Sequence, residues 1–201
     1  MLRYVLIVLV AYLLGSINSS VLVSKGLYRI DIRTRGSGNA GATNVARVFG
    51  MASGLLTFGG DILKTAAAML TGRAIGGMTG FYVAGFACLV GHCYPAFFHL
   101  KGGKGVAVGA AMALLLDWRM FLCLLAAFLA VFLLTKMVSL CSIVAAALLP
   151  ACCLLFGLPT LPCVLSAVAA VIVIWRHHGN IRRILRHEEK KFVPKSRKST
   201  D

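Results

Sequence analysis

The chain has 201 residues, 59% of them apolar and only 13% charged, yet it carries a formal net charge of +15. Soluble domains are about one quarter charged, so this balance excludes an ordinary soluble fold. The basic excess flanks apolar runs, with no strand pattern of interleaved aromatics and no zinc spacing, which assigns it to membrane-flanking loops and excludes a nucleic-acid partner.

Apolar runs near 20 residues are what a bilayer core of about 30 Å requires of a helix. In chain order they predict an all-α bundle of seven transmembrane helices at 4–23, 53–72, 78–98, 105–117, 120–135, 138–156 and 160–175. The N-terminus has one Arg and a short apolar core, like a signal peptide. It lacks a small-x-small cleavage site and stays apolar to Val23, so an uncleaved first span is expected. A basic loop follows, with Lys25, Arg29, Arg33, Arg35 and Arg47 around the stretch RGSGNAGATN.

Within the second span, Asp61 and Lys64 lie three apart on one helical face. A charge in mid-membrane costs roughly 2.5–3.5 kcal/mol, so the two are expected to pair or to face a polar cavity. KGGKG (101–105) leads into the fourth and shortest span, Ser139 and Ser142 open the sixth on one face, and RHHGNIRR (176–183) ends the seventh. Residues 186–201 read as a basic, disordered cytoplasmic tail interrupted by Pro194. The seven cysteines fall in or beside apolar runs at no metal-ligand spacing, and are expected to pack as small hydrophobes with neither a metal nor a disulfide framework.

Counting five or six spans would fuse or demote the fourth, but the charges argue for seven. Seven spans put seventeen Lys and Arg residues on one side and Arg3, Arg73 and Arg119 on the other, with Lys64 inside the second span. That asymmetry predicts a cytoplasmic C-terminus, an external N-terminus and a cytoplasmic face bearing both glycine-rich loops. Integral residence in a bacterial inner membrane, contact with membrane lipids and a monomeric state are the accompanying expectations.

Gly36-x-Gly38-x-x-Gly41 matches a dinucleotide fingerprint, but no strand precedes it, and KGGKG lacks the spacing of a nucleotide loop. The physical content survives. Glycines let backbone N–H groups turn inward into anion-binding nests. Ser37, Asn39, Thr43 and Asn44 add donors, and Arg35, Arg47, Lys101 and Lys104 add charge suited to phosphate oxygens. If Gly105 opens the fourth helix, its unpaired N–H groups point at the same anion. His177 and Asn180, three apart at the end of the last span, could hydrogen-bond an anion or supply a base. No His is followed five residues later by Asp, and no Gly-x-Ser-x-Gly elbow occurs. A channel or carrier for small phosphorylated metabolites would also bind anions, but it predicts donors on both faces. A scaffold whose glycines only pack helices predicts tolerance to loss of Ser37 or Lys104.

GSGNAGATN (36–44), GHCYPAFFHLKGGKGVAVG (91–109) and RHHGNIRR (176–183), with AYLLGSI near the start and VSLCSI at 138–143, resemble the bacterial acyl-phosphate:glycerol-3-phosphate acyltransferases over nearly the whole chain. The resemblance implies a seven-span bundle. It also implies transfer of a fatty acyl group from acyl phosphate to the 1-hydroxyl of glycerol 3-phosphate, giving lysophosphatidic acid and phosphate without a cofactor or metal. Gly36, Ser37, Gly38, Asn39, Gly41 and Thr43 would cradle the acyl-phosphate head, Lys104 would serve both phosphates, and Lys101, Gly102, Gly103 and Gly105 would complete that loop. Arg47, Ser142, His177 and Asn180 would hold glycerol 3-phosphate near the carbonyl. Ser37, Lys104, His177 and Asn180 are the expected catalytic set, with His177 an orienting residue first and a base second. Asn44 is expected among the substrate-binding donors.

Overall fold

A computed structural model describes residues 1–192. Among these residues it forms nine α-helices and no strand. The first predicted span is two helices, α1 (Leu2–Ser16) and α2 (Ser19–Tyr28). The chain leaves the helix at Ile17, and Asn18 starts it again by accepting from the Val21 N–H at 3.2 Å. The break strands carbonyls that lipid cannot satisfy. The Lys64 ammonium, reaching across from the next long helix, donates to Gly15 O and Ile17 O at 3.0 and 2.6 Å.

After a loop containing a 3₁₀ turn (Ile32–Thr34), α3 (Ala42–Phe49) leads into α4 (Met51–Cys93). At 43 residues α4 is far longer than one crossing needs, and it folds back on itself where Gly76 and Gly77 leave helical geometry, Gly77 at φ +62°. The arms 51–75 and 78–93 then run antiparallel. They touch at Gly72 and Gly80, where a Cβ on either would overlap the other's carbonyl oxygen. Gly15 and Gly91 bring α1 equally close to the second arm. Such small-residue contacts are how helices approach where no water drives them together.

The remaining helices are α5 (Val106–Leu116), α6 (Trp118–Thr135), α7 (Val138–Leu155), α8 (Thr160–Arg176) and α9 (His178–Leu185). Asp117 caps α6 by accepting from the Arg119 N–H at 2.8 Å. α5 has 11 residues, about 16 Å of rise, or roughly half a bilayer core. Four stretches, Leu2–Tyr28, Met51–Phe98, Trp118–Thr135 and Val138–Leu155, are long and apolar enough to cross a membrane, and α8 with α9 makes a fifth bent by 58°. The core joins Ile7 and Ala11 of α1, Met69, Phe81 and Leu89 of α4, Val108 and Met112 of α5, and Ala169 and Val173 of α8. Leu122, Leu129, Leu133, Val171 and Trp175 face outward, an apolar surface suited to lipid and not to water.

One expectation changes at the end of the chain. Residues 186–192 do not extend as a solvated tail. The Phe192 N–H donates to Lys136 O at 2.8 Å, the Phe192 ring lies 6.4 Å from that of Phe132, and Glu189 is held by three side chains. The physical reason is charge: a carboxylate is drawn to a helix end crowded with cations. Pro194 and the remainder of the predicted tail lie outside the described residues.

Candidate active site

The site is built at the bundle end where α2, α3, the end of α4, the start of α5 and α9 meet. Its first wall is the loop before α3. Gly36 and Gly38 adopt φ of +61° and +71°, a region that glycine enters without strain. Asn44, in the first turn of α3, closes the loop over itself. Its Oδ1 accepts from the Ser37 N–H at 2.9 Å, and its amide donates to Arg35 O and Asn39 O at 3.0 Å and to Ile32 O at 3.3 Å. Asn44 is 2% exposed and fully engaged with loop backbone, so its part in the site is to hold the loop's shape. Gly41 precedes α3 without a side-chain cap, leaving first-turn N–H groups pointing from the helix end. On the rim, the Arg33 guanidinium beside Asp31 holds its carboxyl well below the usual carboxylate range.

The second wall is KGGKG. Gly103 N–H donates to His92 O at 3.1 Å. Gly102 lies so close to the His92 and Cys93 carbonyls, and Gly103 so close to the His92 ring, that a Cβ at either would collide. From α8, Arg176 Nη2 and Nε donate to Gly102 O and Gly103 O at 3.0 and 3.2 Å, its guanidinium 5.2 Å over the Tyr94 ring. Gly105, at φ +85°, turns the chain into α5 and also leaves that helix without a side-chain cap. The two walls enclose a cleft of about 540 Å³ lined by Gly38, Asn39, Lys101, Gly102, Arg33 and Arg176, among others. That volume falls in the range of small-molecule sites.

Beyond KGGKG lies the third element. Lys104 Nζ donates to Asn180 Oδ1. Asn180 Nδ2 donates to Glu189 Oε1 at 2.6 Å, where Ser139 Oγ also donates at 2.7 Å, and Arg183 Nε donates to Glu189 Oε2 at 2.7 Å. Burial pushes the Lys104 ammonium down to about 8; Arg183, Arg176 and Arg47 push the same way, and Glu189 opposes them. His177 Nδ1 is 2.7 Å from Val173 O. A carbonyl only accepts, so Nδ1 carries the proton and Nε2 keeps its lone pair. Burial pushes His177 down to about 4, which leaves it neutral at physiological pH. Ser142 is buried one turn along α7 from Ser139, its hydroxyl donating to Val138 O at 2.7 Å.

All three motifs therefore converge. Gly38 and Asn39 meet Lys101 and Gly102 around the cleft; Lys104, Asn180, His177 and Arg47 share one charged neighbourhood. Ser37 and Lys101 are exposed at the rim, and Gly36, Gly41 and Thr43 line the chain's entry to α3. The sequence reading missed Glu189 and undervalued Ser139, Arg176 and Arg183. The one signal for Glu189 is the pair of acids at 188 and 189 in an otherwise basic segment, in a chain with only six acids.

An apolar helical bundle with a cationic, glycine-walled cleft at one end defines a membrane protein whose cleft chemistry suits a phosphorylated compound. The comparisons give its relatives. The family model described as glycerol-3-phosphate acyltransferase matches residues 5–187, and the chain belongs to this family. A glycerol-3-phosphate acyltransferase of Rubrobacter xylanophilus is 41% identical over 194 residues, covering 96% of each chain. One from Thermoanaerobacter pseudethanolicus is 38% identical over 192 residues, covering 96% of this chain and 97% of its own. Among solved structures, PlsY (YgiH), an integral membrane glycerol 3-phosphate acyltransferase, superposes in its glycerol 3-phosphate form with a TM-score of 0.88 at 35% identity, covering 94% of this chain and 96% of that one. Its lysophosphatidic acid form gives 0.86. With its apolar helices, the chain is a multi-pass membrane protein.

Proposed function

We propose that the protein transfers a fatty acyl group from acyl phosphate to the 1-hydroxyl of sn-glycerol 3-phosphate, releasing lysophosphatidic acid and inorganic phosphate. The observation that carries this reading is the pairing of two phosphate-suited sites across one loop. The cleft walled by Gly38, Asn39 and Gly102 lies on one side of KGGKG, and the Lys104–Asn180 centre lies on the other. Both substrates bear a phosphate, and one also bears a chain that belongs in lipid.

In this reading the glycine loop, with Gly36, Ser37, Gly38, Asn39, Gly41 and Thr43, cradles the acyl-phosphate head, with Lys101 to Gly105 closing over it. Arg47, Ser142, His177 and Asn180 hold glycerol 3-phosphate, and Lys104 serves both. The C1 hydroxyl oxygen attacks the acyl carbonyl, the bond from that carbon to the phosphate oxygen breaks, and the departing phosphate takes the hydroxyl proton. A His177 pushed down to about 4 by burial is a weak base, since a good general base titrates near the working pH. Its Nε2 lone pair instead accepts from the hydroxyl and aims it. The remaining catalysis is positioning, plus stabilisation of the developing oxyanion by Lys104 and loop amides.

The bundle reads as seven crossings, with the arms of α4 counted separately and α5 completed by the descending KGGKG segment. The N-terminus lies outside. The site and C-terminus lie on the cytoplasmic face of a bacterial plasma membrane, and the protein works as a monomer. The test is purified protein with palmitoyl phosphate and glycerol 3-phosphate, following phosphate release. Release should require both substrates and vanish in Lys104→Ala. A folded wild type that releases none, while carrying labelled glycerol 3-phosphate into liposomes, would refute the enzyme.

A further inference from the structure

Outside this machinery lies a second polar cluster, buried between α1, α2 and both arms of α4. Asp61, Lys64 and His92 are 2%, 7% and 4% exposed. Lys64 Nζ lies 2.9 Å from Asp61 Oδ1 and 3.0 Å from His92 Nδ1, while Ser19 Oγ donates to the same Asp61 oxygen at 2.9 Å. A buried ion pair is weak evidence for stability, because desolvation offsets much of the attraction. Stitching α1 to α2 would require only the lysine and two carbonyls. The histidine is what links the cluster to the loop. Its carbonyl receives the Gly103 N–H at 3.1 Å, and its ring fills the space that a Gly103 side chain would occupy. Ala40 O, from the other substrate loop, lies 2.9 Å from that same point. His92 thus stands at the joint between the two loops.

We propose that Asp61, Lys64 and His92 are positioning residues, a buried relay that fixes the ring of His92 and through it sets KGGKG against the first glycine loop, so that Lys104 reaches the substrates. His92 Nδ1 lies 3.0 Å from Lys64 Nζ and 3.5 Å from Asp61 Oδ1. In the relay the nearer ammonium donates to Nδ1, which places the ring proton on Nε2. Asp61 Oδ1, 2.9 Å from Lys64 Nζ, balances the lysine's charge. The relay rests on the acyl-transfer reading above, since Lys104 is the group it is held to place.

Two measurements separate the relay from a structural ion pair. Histidine ¹⁵N spectra of the wild-type protein in detergent should show His92 as the Nε2–H tautomer, and an Nδ1–H ring would overturn the relay without reference to any substrate. Then His92→Asn keeps an acceptor for Lys64, which stays on Gly15 O and Ile17 O, but withdraws the ring from Gly103. This variant should remain folded while its turnover of palmitoyl phosphate and glycerol 3-phosphate falls about ten- to a hundredfold. Turnover within about twofold of wild type, or a chain that no longer folds, would make the cluster structural and overturn the proposal. A wild type inactive on palmitoyl phosphate would count against the donor reading alone, and the tautomer would still decide the relay.

Discussion

Glu189→Gln tests the electrostatics of the site at a residue outside all three motifs. Lys104 Nζ contacts Asn180 Oδ1, and the far side of that amide meets Glu189 Oε1 at 2.6 Å. One amide width between two contacts puts the carboxylate roughly 7 Å from the ammonium, where a charge pair is worth about 0.6 kcal/mol in a water-like medium and about 2.4 kcal/mol at an effective dielectric near 20. The sign follows from the group. Glu189 holds Lys104 up against the burial and the three arginines that lower it. Removing the charge with little change of shape should therefore lower the ammonium from about 8 into the range of about 6 to 7.5, taking about 1.4 kcal/mol per tenfold change. Activity that needs the charged lysine is lost as pH rises through that value. The assay is kcat/KM for glycerol 3-phosphate against pH, because this ratio reports groups in the unliganded enzyme and not those already biased by a bound phosphate. Wild type should show an alkaline limb near 8, and Glu189→Gln the same limb displaced toward acid. A limb that stays in place or moves toward alkali would refute the charge coupling between the 186–192 segment and Lys104.

Gly103→Ala adds one carbon that overlaps the His92 ring and lies 2.9 Å from Ala40 O, both parts of fixed structure. KGGKG must then shift, and a displacement of about 1 Å at Lys104 should lower kcat/KM about a hundredfold in steady-state kinetics. Asn44→Ala removes the one side chain that ties Ser37, Arg35, Asn39 and Ile32 together. It should destabilise the protein by about 2–4 kcal/mol, read as a lowered thermal unfolding midpoint in detergent, with turnover lost in proportion to the disordered loop.

The legible part of this protein is the part written in local pattern. Apolar runs near 20 residues marked the helices because a bilayer imposes a length, and the short run 105–117 became α5 within a residue at each end. Glycine-rich stretches marked the loops because positive φ at Gly36, Gly38 and Gly105 leaves few other residues usable. What remained hidden depends on partners distant in sequence. The first run gave no hint of a break at Ile17, since a helix can stop in an apolar stretch only if something else satisfies its carbonyls. That something is Lys64, 47 residues away. Asp61 and Lys64 were expected to pair, and they do, but His92 as their third member comes from the opposite arm of α4, and no spacing rule joins positions 28 apart.

Glu189 shows most clearly why charge asymmetry alone misleads. A run of Lys and Arg beside a membrane reads as a topology signal and an attraction to lipid headgroups, and an acid within it reads as noise. At the helix end the same cations face inward as well as outward. Lys104, Arg47, Arg176 and Arg183 repel one another across the site, and burial raises the cost of each charge. A bundle end that gathers these four cations is therefore strained by its own charge. Glu189, hydrogen-bonded to Ser139, Asn180 and Arg183, supplies fixed negative charge at the margin of that cluster. Glu189 offsets part of that repulsion, and it leaves the cleft between the glycine loops clear, because its contacts are made to α7 and α9 on the far side of Lys104.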